Sequence, residues 1–409
     1  MTVAPINPER AVLQLVLVVP SELIMNLKSL WVALVLLTSC MAGSTNAQWY
    51  SRADFLIMKR YANENPVFQR QVVQSFNRTV DIETTTVTVG PTTTITETPI
   101  RVEEITDDLV GGSLLRADDV DFGHMPGGRL LIGRRFGDFG IEGSWLWTDT
   151  WSGDASASSA NGDLVGPFVS EGTLLNRHTY IEHIPSSTVL VDQDFPQSAI
   201  VHLNSFSQIE HRSKLRTGDA SITARLMESS ISNVTFLAGF RYADLEERFG
   251  YSSTSVPPPA GIIATVNSPS QSVQIRNRLF GPQIGLAIDS GIREKIMLNL
   301  SAKTTLAYNE VDRDLTWAPD STNAALNIFT SSRDSTASFL GEFSMTGTLY
   351  LTTNLSLHAG YEVLVLSDVA LAADNFQRNI DALNNGTSLV NTSSRVAYGS
   401  PVFGATLSF

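Results

Sequence analysis

Thr235-Phe236-Leu237-Ala238-Gly239-Phe240-Arg241-Tyr242 decides how this chain folds. Phe236, Ala238, Phe240 and Tyr242 stand at alternate positions, with Gly239 and Arg241 between them. A period of two means a β-strand with one apolar and one polar face. The pattern returns again and again. Trp49 to Lys59 sets Trp49, Ala53, Phe55 and Ile57 opposite Arg52 and Asp54, and Ile141 to Thr148 sets Trp145 and Trp147 opposite Glu142 and Ser144. Further alternating runs are Arg129 to Phe136, about Arg212 to Ser229, Ser272 to Ile288, Ile296 to Tyr308, Phe339 to Leu349, Leu355 to Val365 and Val396 to Phe409. With Thr235 to Leu245 these make ten. In Ser272 to Ile288 the apolar positions switch from odd (Val273, Ile275) to even (Phe280, Ile284, Leu286), which predicts a bulge near Gly281-Pro282.

The connections are sorted by length. Long polar ones fall near 60–125, 149–203, 246–271, 309–335 and 367–395, and short ones near 137–140, 229–233, 289–293 and 351–354. They alternate strictly, as in outer-membrane barrels with short periplasmic turns and long extracellular loops. A soluble sandwich, wet at both ends, has no reason to sort them. The fold expected is therefore all-β: a single transmembrane antiparallel beta-barrel of about ten strands, an even number between ten and twelve, over residues 48–409. The alternating last strand ends on Phe409, a terminus that barrels present to their assembly machinery.

Composition agrees. Lys+Arg total 28 and Asp+Glu 41, a net charge of -13 with only 17% charged residues, which disfavours nucleic acid as a partner. A single cysteine, Cys40, excludes a disulfide framework and cysteine-based zinc sites. Met25 to Ala47 reads as an export signal, with Lys28 as its positive end, Leu30 to Leu37 as its apolar core and Thr45-Asn46-Ala47 as its cleavage site. Translation is expected to begin at Met25, with the preceding residues surplus. Leu37-Thr38-Ser39-Cys40 also has the form of a lipoprotein box, an alternative that leaves the lone cysteine as a lipid site.

Met125-Pro126-Gly127-Gly128-Arg129 through Ile141-Glu142-Gly143-Ser144, the Phe236 to Tyr242 segment, and Gly360-Tyr361-Glu362-Val363-Leu364-Val365-Leu366 with Val369-Ala370-Leu371-Ala372 resemble the outer-membrane beta-barrel porins of planctomycete bacteria. The resemblance runs from Trp49 to the C-terminus and implies the fold and an outer-membrane location. Its anchors are strand-packing segments without catalytic content.

Chemistry-bearing motifs are scarce. His178-Thr179-Tyr180-Ile181-Glu182-His183 lacks the helix and the spacing of a zinc motif, and no GxSxG, P-loop or HExxH occurs. Asp107-Asp108 and Asp118-Asp119 read as solvated loop charge, with weak calcium binding as the rival. The threonine-rich Thr84 to Thr94 reads as a small hairpin, and Pro257-Pro258-Pro259 as a stiff loop. No catalytic residue, cofactor or metal ligand is assigned, and no enzyme activity is expected.

Parity places Arg52, Asp54, Arg129, Glu142, Arg225, Arg241, Lys303, Glu342, His358 and Glu362 opposite the aromatic face, hence toward the lumen. Facing lipid, such charges would cost a few kcal/mol each near mid-bilayer. They either pair across a narrow interior or line a water path. The expected function is passive passage of small hydrophilic solutes; the alternative is a non-conducting structural or surface-binding barrel that acts through its outer loops. Partners expected are outer-membrane lipid, the barrel-assembly machinery and small solutes. Nothing in the pattern specifies an oligomer.

Overall fold

The computed structural model describes residues 48–62, 67–71, 73–76, 86–88, 94–96, 101–108, 113–159, 164–168, 178–182, 203–229, 231–255, 268–319, 327–386 and 389–409. The export signal expected over residues 1–47, its start at Met25 and the Pro257-Pro258-Pro259 loop lie outside them.

The wall is built of β1 (Gln48–Ala62), β2 (His124–Phe136), β3 (Phe139–Thr148), β4 (Leu203–Glu228), β5 (Ser232–Ser255), β6 (Ser270–Arg293), β7 (Ile296–Ala318), β8 (Ile328–Tyr350), β9 (Leu355–Val369) and β10 (Ser394–Ser408). Each pairs antiparallel with the next in the chain. β10 returns to β1, with Tyr50 opposite Ser408, and Trp49 and Phe409 exchange backbone hydrogen bonds of 2.9 Å. The ring is closed, so these ten strands leave no open edge between first and last.

One expectation is corrected here. A single sheet of ten to twelve strands shaped as a plain barrel is not what forms. The described residues hold nineteen strands in three sheets of fourteen, three and two strands. The closed ring carries four additional strands: Trp151–Ser158 and Leu164–Val165 pair with β4, Val67–Gln71 pairs with Leu164–Val165, and Ser113–Arg116 pairs with Val67–Gln71. Length is the cause. β4 is 26 residues long and β3 only 10, so β4 runs on past its neighbour and its exposed edge recruits segments from the connections. Elsewhere Arg101–Asp108 pairs with Val73–Phe76 and His178–Glu182, and Thr86–Thr88 forms a hairpin with Thr94–Thr96.

Strands also run into stretches expected as loops. β5 continues to Ser255, β7 to Ala318, and β8 begins at Ile328. The turn between β6 and β7 is Glu294-Lys295, so residues 289–293 are strand rather than turn.

The long strands change character along their length. In β5 the outward side chains are Phe236, Phe240 and Tyr242 near the short-turn end, then Glu246 and Arg248; the inward ones beyond Arg241 are Ala243, Leu245, Phe249 and Tyr251, all buried. The face that carries the apolar residues therefore inverts near Tyr242–Asp244. β6 inverts at the same level. Phe280, Ile284 and Leu286 are exposed, Val273 and Ile275 fully buried, and Phe280 stacks on Phe240 with centroids 5.7 Å apart. The bulge expected near Gly281-Pro282 is absent: Arg241 pairs with Gly281 and Phe240 with Pro282 in unbroken register. The phase switch records a change of surroundings, from an apolar outside to an apolar inside.

Strands of 23 to 26 residues reach about 80 Å at roughly 3.3 Å per residue. Crossing a bilayer takes about 9–11 residues of a tilted strand. The remainder belongs to a far half with its own apolar core, including Leu56, Met58, Leu146, Trp151, Ile209, Leu215, Trp317, Leu364, Leu366 and Tyr398.

Candidate functional site

The enclosed interior holds the charged groups. Strand alternation aims Arg129, Arg241, Glu342 and Glu362 inward, and their contacts cross the ring rather than follow the sheet. Arg129 on β2 pairs with Glu362 on β9, three strands away round the wall, and lies 3.8 Å from Glu342 on β8. Arg241 on β5 pairs with Glu342 and donates from Nε to Thr217 Oγ1 at 3.0 Å and from Nη1 to Gln283 Oε1 at 3.5 Å. Phe240, next to it, is 56% exposed, while Arg241 is 3% exposed. Side chains on non-adjacent strands can meet only through the enclosed space. Of the inward carboxylates, Glu342 takes Arg241.

Two further links extend the lattice. Lys303 Nζ on β7 lies 3.5 Å from Asp219 Oδ2 on β4, and Ser144 Oγ donates to Asp219 Oδ1 at 2.5 Å. His358 Nε2 on β9 sits 2.5 Å from Asp54 Oδ1 on β1, which also accepts from Arg52 Nε at 2.9 Å. Gly404 makes room for that pair: a Cβ there would stand 2.4 Å from Asp54 Oδ1 and 2.5 Å from His358 Nε2.

The remaining two residues sit nearer the turns, Glu142 on β3 meeting Tyr50 of the non-adjacent β1 across the enclosed space. Glu142 accepts from Tyr50 Oη at 3.0 Å, half-buried. Arg225 is drawn to the turn end, where it bonds Glu228 at 2.5 Å and approaches Asp138 at 3.7 Å.

Sequence reasoning missed a second cluster in the far half. Glu247 accepts from Arg60 Nη2 at 2.7 Å, from Ser213 Oγ at 3.0 Å and from the Ala372 N–H at 3.1 Å, with His211 Nε2 at 3.6 Å. Burial acts to raise the Glu247 carboxyl, but the Arg60 guanidinium, His211 and the Ala372 N–H outweigh it and hold the group well below the usual carboxylate range. Burial raises the neighbouring Tyr398 hydroxyl. Aromatic rings close round the cluster: Phe122 and Phe249 lie 4.8 and 5.4 Å from His211, and Arg60 stacks over Phe122 at 4.8 Å.

Among the described residues, no group of three or more His, Cys, Asp or Glu is arranged to hold a metal ion. Of the acidic pairs, Asp118 accepts from the Arg116 side chain and Asp119 from the Arg116 N–H, a local turn. A cleft of about 480 Å³ lies at Arg293–Ile296 and Leu349, and one of about 240 Å³ among Glu210, Arg212, Arg248 and Gly250; neither is lined by the charged lattice.

An outward apolar band, an inward charged lattice and a closed strand ring together define an outer-membrane protein of the channel type. Residues 50–399 match the family described as Putative beta barrel porin-7 (BBP7), and the chain belongs to that family. No curated protein matches it. Among solved structures, the outer membrane protease OmpT from Escherichia coli is similar at 11% identity and a TM-score of 0.45, covering 89% of this chain and 97% of that one. The Pseudomonas putida toluene transporter TodX is similar at 9% identity and a TM-score of 0.31, covering 90% of each chain. A Pseudomonas aeruginosa FadL homologue gives 10% identity and a TM-score of 0.27, covering 89% and 90%. At those scores the likenesses carry no argument about this chain's activity.

Proposed function

We propose that this chain passes small hydrophilic solutes across the outer membrane and is closed at rest. The observation that carries the reading is the charged lattice of Arg129, Glu342, Arg241 and Glu362, which joins non-adjacent strands through the enclosed space. A ring of about this size is narrow, close to what side chains alone can fill. A polar filling that swings aside leaves a hydrated path; an apolar one would not. Arg52, Asp54, Lys303 and His358 belong to the same lining, with Glu142 and Arg225 nearer the turn mouth. In this reading the outward band of Phe240, Phe280, Phe343 and Phe403 faces lipid, the short turns are periplasmic, and the far half stands outside the cell. Residues 1–47 are removed on export, and assembly machinery engages the β10 end at Phe409. A planctomycete origin, implied by the resemblance, belongs to the same proposal.

A second reading has one observation in its favour. The complete apolar core of the far half suits a rigid, non-conducting platform that acts through surface connections. Planar-bilayer recording of the purified chain separates the two. Rare, brief, reproducible steps on a silent baseline support gated passage; a large steady current refutes closure at rest, and unbroken silence refutes passage.

A further inference from the structure

The inference drawn here rests on the gated-passage reading and concerns the part that moves. At the far end of β9 the chain leaves the wall. Asp368 adopts a left-handed conformation with φ 58°, and Ser338 Oγ donates to its carbonyl at 2.5 Å. Val369 still pairs with Ser394 on β10, and Ala370, Leu371, Ala372 and Ala373 follow off the wall, each 1% exposed or less. Their backbone is bonded by side chains from the opposite wall. Asn277 Nδ2 on β6 donates to the Ala370 carbonyl at 2.8 Å, and the Ala370 N–H donates to Asn277 Oδ1 at 2.9 Å. Asn309 Nδ2 donates to the same Oδ1 at 3.1 Å, which orients the amide. The Ala372 N–H donates to Glu247 on β5. β6 and β5 stand three and four strands round the ring from β9, so the segment crosses the enclosed space. Phe376 completes the crossing against Phe249 and Tyr251, with centroids 5.8 and 6.0 Å away.

We propose that residues 370–376 are the gate of this ring, hinged just beyond Asp368 and Val369 and latched by Asn277 and Glu247. The lattice near the turns consists of side chains, which clear a path by changing rotamer. A backbone segment bonded from wall to wall can be passed only if it swings out. Swinging out exposes Leu371 and Phe376, but Ala370, Ala372 and Ala373 add little apolar surface, and the latch consists of hydrogen bonds that water can replace. A strained left-handed residue at the point of departure is where a hinge is expected.

The test uses the full-length exported chain in planar bilayers, with folding checked by heat-dependent gel migration. Asn277→Ala removes the bidentate latch without touching Glu247. A second variant replaces residues 370–376 by a Gly/Ser stretch of equal length. The expected result is at least a tenfold rise in step frequency for Asn277→Ala and a sustained current for the replacement. A folded replacement variant with the wild-type step frequency overturns the gate, and if that variant does not fold, an unchanged Asn277→Ala does so. Adding Arg129→Ala and Glu362→Ala to a silent replacement then separates the two claims. Current appearing only there makes the lattice the gate and leaves passage standing; continued silence overturns passage itself.

Discussion

Arg241→Ala strands a carboxylate. Arg241 gives Glu342 a charge-assisted partner inside the ring, and removing it leaves Glu342 with Arg129 at 3.8 Å, too long for a good hydrogen bond, and with the nearby charge of Lys303. Breaking a buried pair by deleting one member costs about 3–5 kcal/mol. The residual attraction of Arg129 puts the expected loss near the lower end, about 3 kcal/mol. Thr217 and Gln283 lose their donor as well. Arg241→Lys keeps the charge but not the planar fork, so it should fall between wild type and Arg241→Ala. The control is Arg333→Ala. Arg333 was expected in a loop and instead lies on β8, its side chain 67% exposed beside Glu310 and Asp312, where solvent screens the pair and no measurable loss should follow. The assay is urea unfolding in lipid vesicles, followed by tryptophan fluorescence and gel migration. Replacing the pair together, Arg241→Met with Glu342→Leu, should recover much of the loss. If Arg241→Ala unfolds at the same urea concentration as Arg333→Ala, the buried lattice does not hold the ring.

Gly404→Ala should destabilise by about 1–3 kcal/mol, because the new Cβ meets the Ala53 backbone carbonyl as well as Asp54 and His358; His358→Ala beside it should relieve only the last of these contacts, and a double-mutant cycle reads that coupling. Single-tryptophan variants carrying Trp145 should be quenched by brominated lipid, since Trp145 is exposed on the apolar band, whereas variants carrying only Trp151 or Trp317 should not. The Glu247 carboxyl is held below its unfolded value, so the stability it contributes is complete above the unfolded carboxylate pKa of about 4.3. That stability is lost as pH falls through the lower folded value. Protease resistance of the far half should therefore be flat from neutral pH to about 5 and decline below it, and Glu247→Gln should remove that decline.

Parity made the lattice near the turns legible. Asp54, Arg129, Arg241, Glu342 and Glu362 each sit one residue from an apolar side chain, and a strand must send neighbours to opposite faces. Asp219 was equally legible from its phase with Ser221, since it shares the inward face of β4. Arg60 and Glu247 were not, because the apolar face there inverts: Phe249 and Leu245 point inward with Glu247, so the rule that aromatic means outward fails beyond Tyr242. The same inversion produced the bulge expected at Gly281-Pro282. Attached strands such as Trp151–Ser158 were hidden for a different reason. Their pairing depends on how far β4 overruns β3, a length difference that local alternation does not encode. The crossing of residues 370–376 follows from one left-handed Asp368 and from side chains nearly a hundred residues away, such as Asn277.

The inversion of the wall is the central claim, and cysteine scanning along β5 from Phe236 to Phe249 tests it most directly. Because in the proposed reading the lone Cys40 leaves with residues 1–47 on export, each introduced cysteine is the only thiol, and it is labelled in native outer membrane by a lipid-soluble thiol reagent and, separately, by a water-soluble one. Residues 236, 238, 240 and 242 should react with the lipid-soluble reagent, 241 should be protected from it, and 246 and 248 should react only with the water-soluble one. Lipid-phase labelling at 241, or at 246 and 248, would contradict the account.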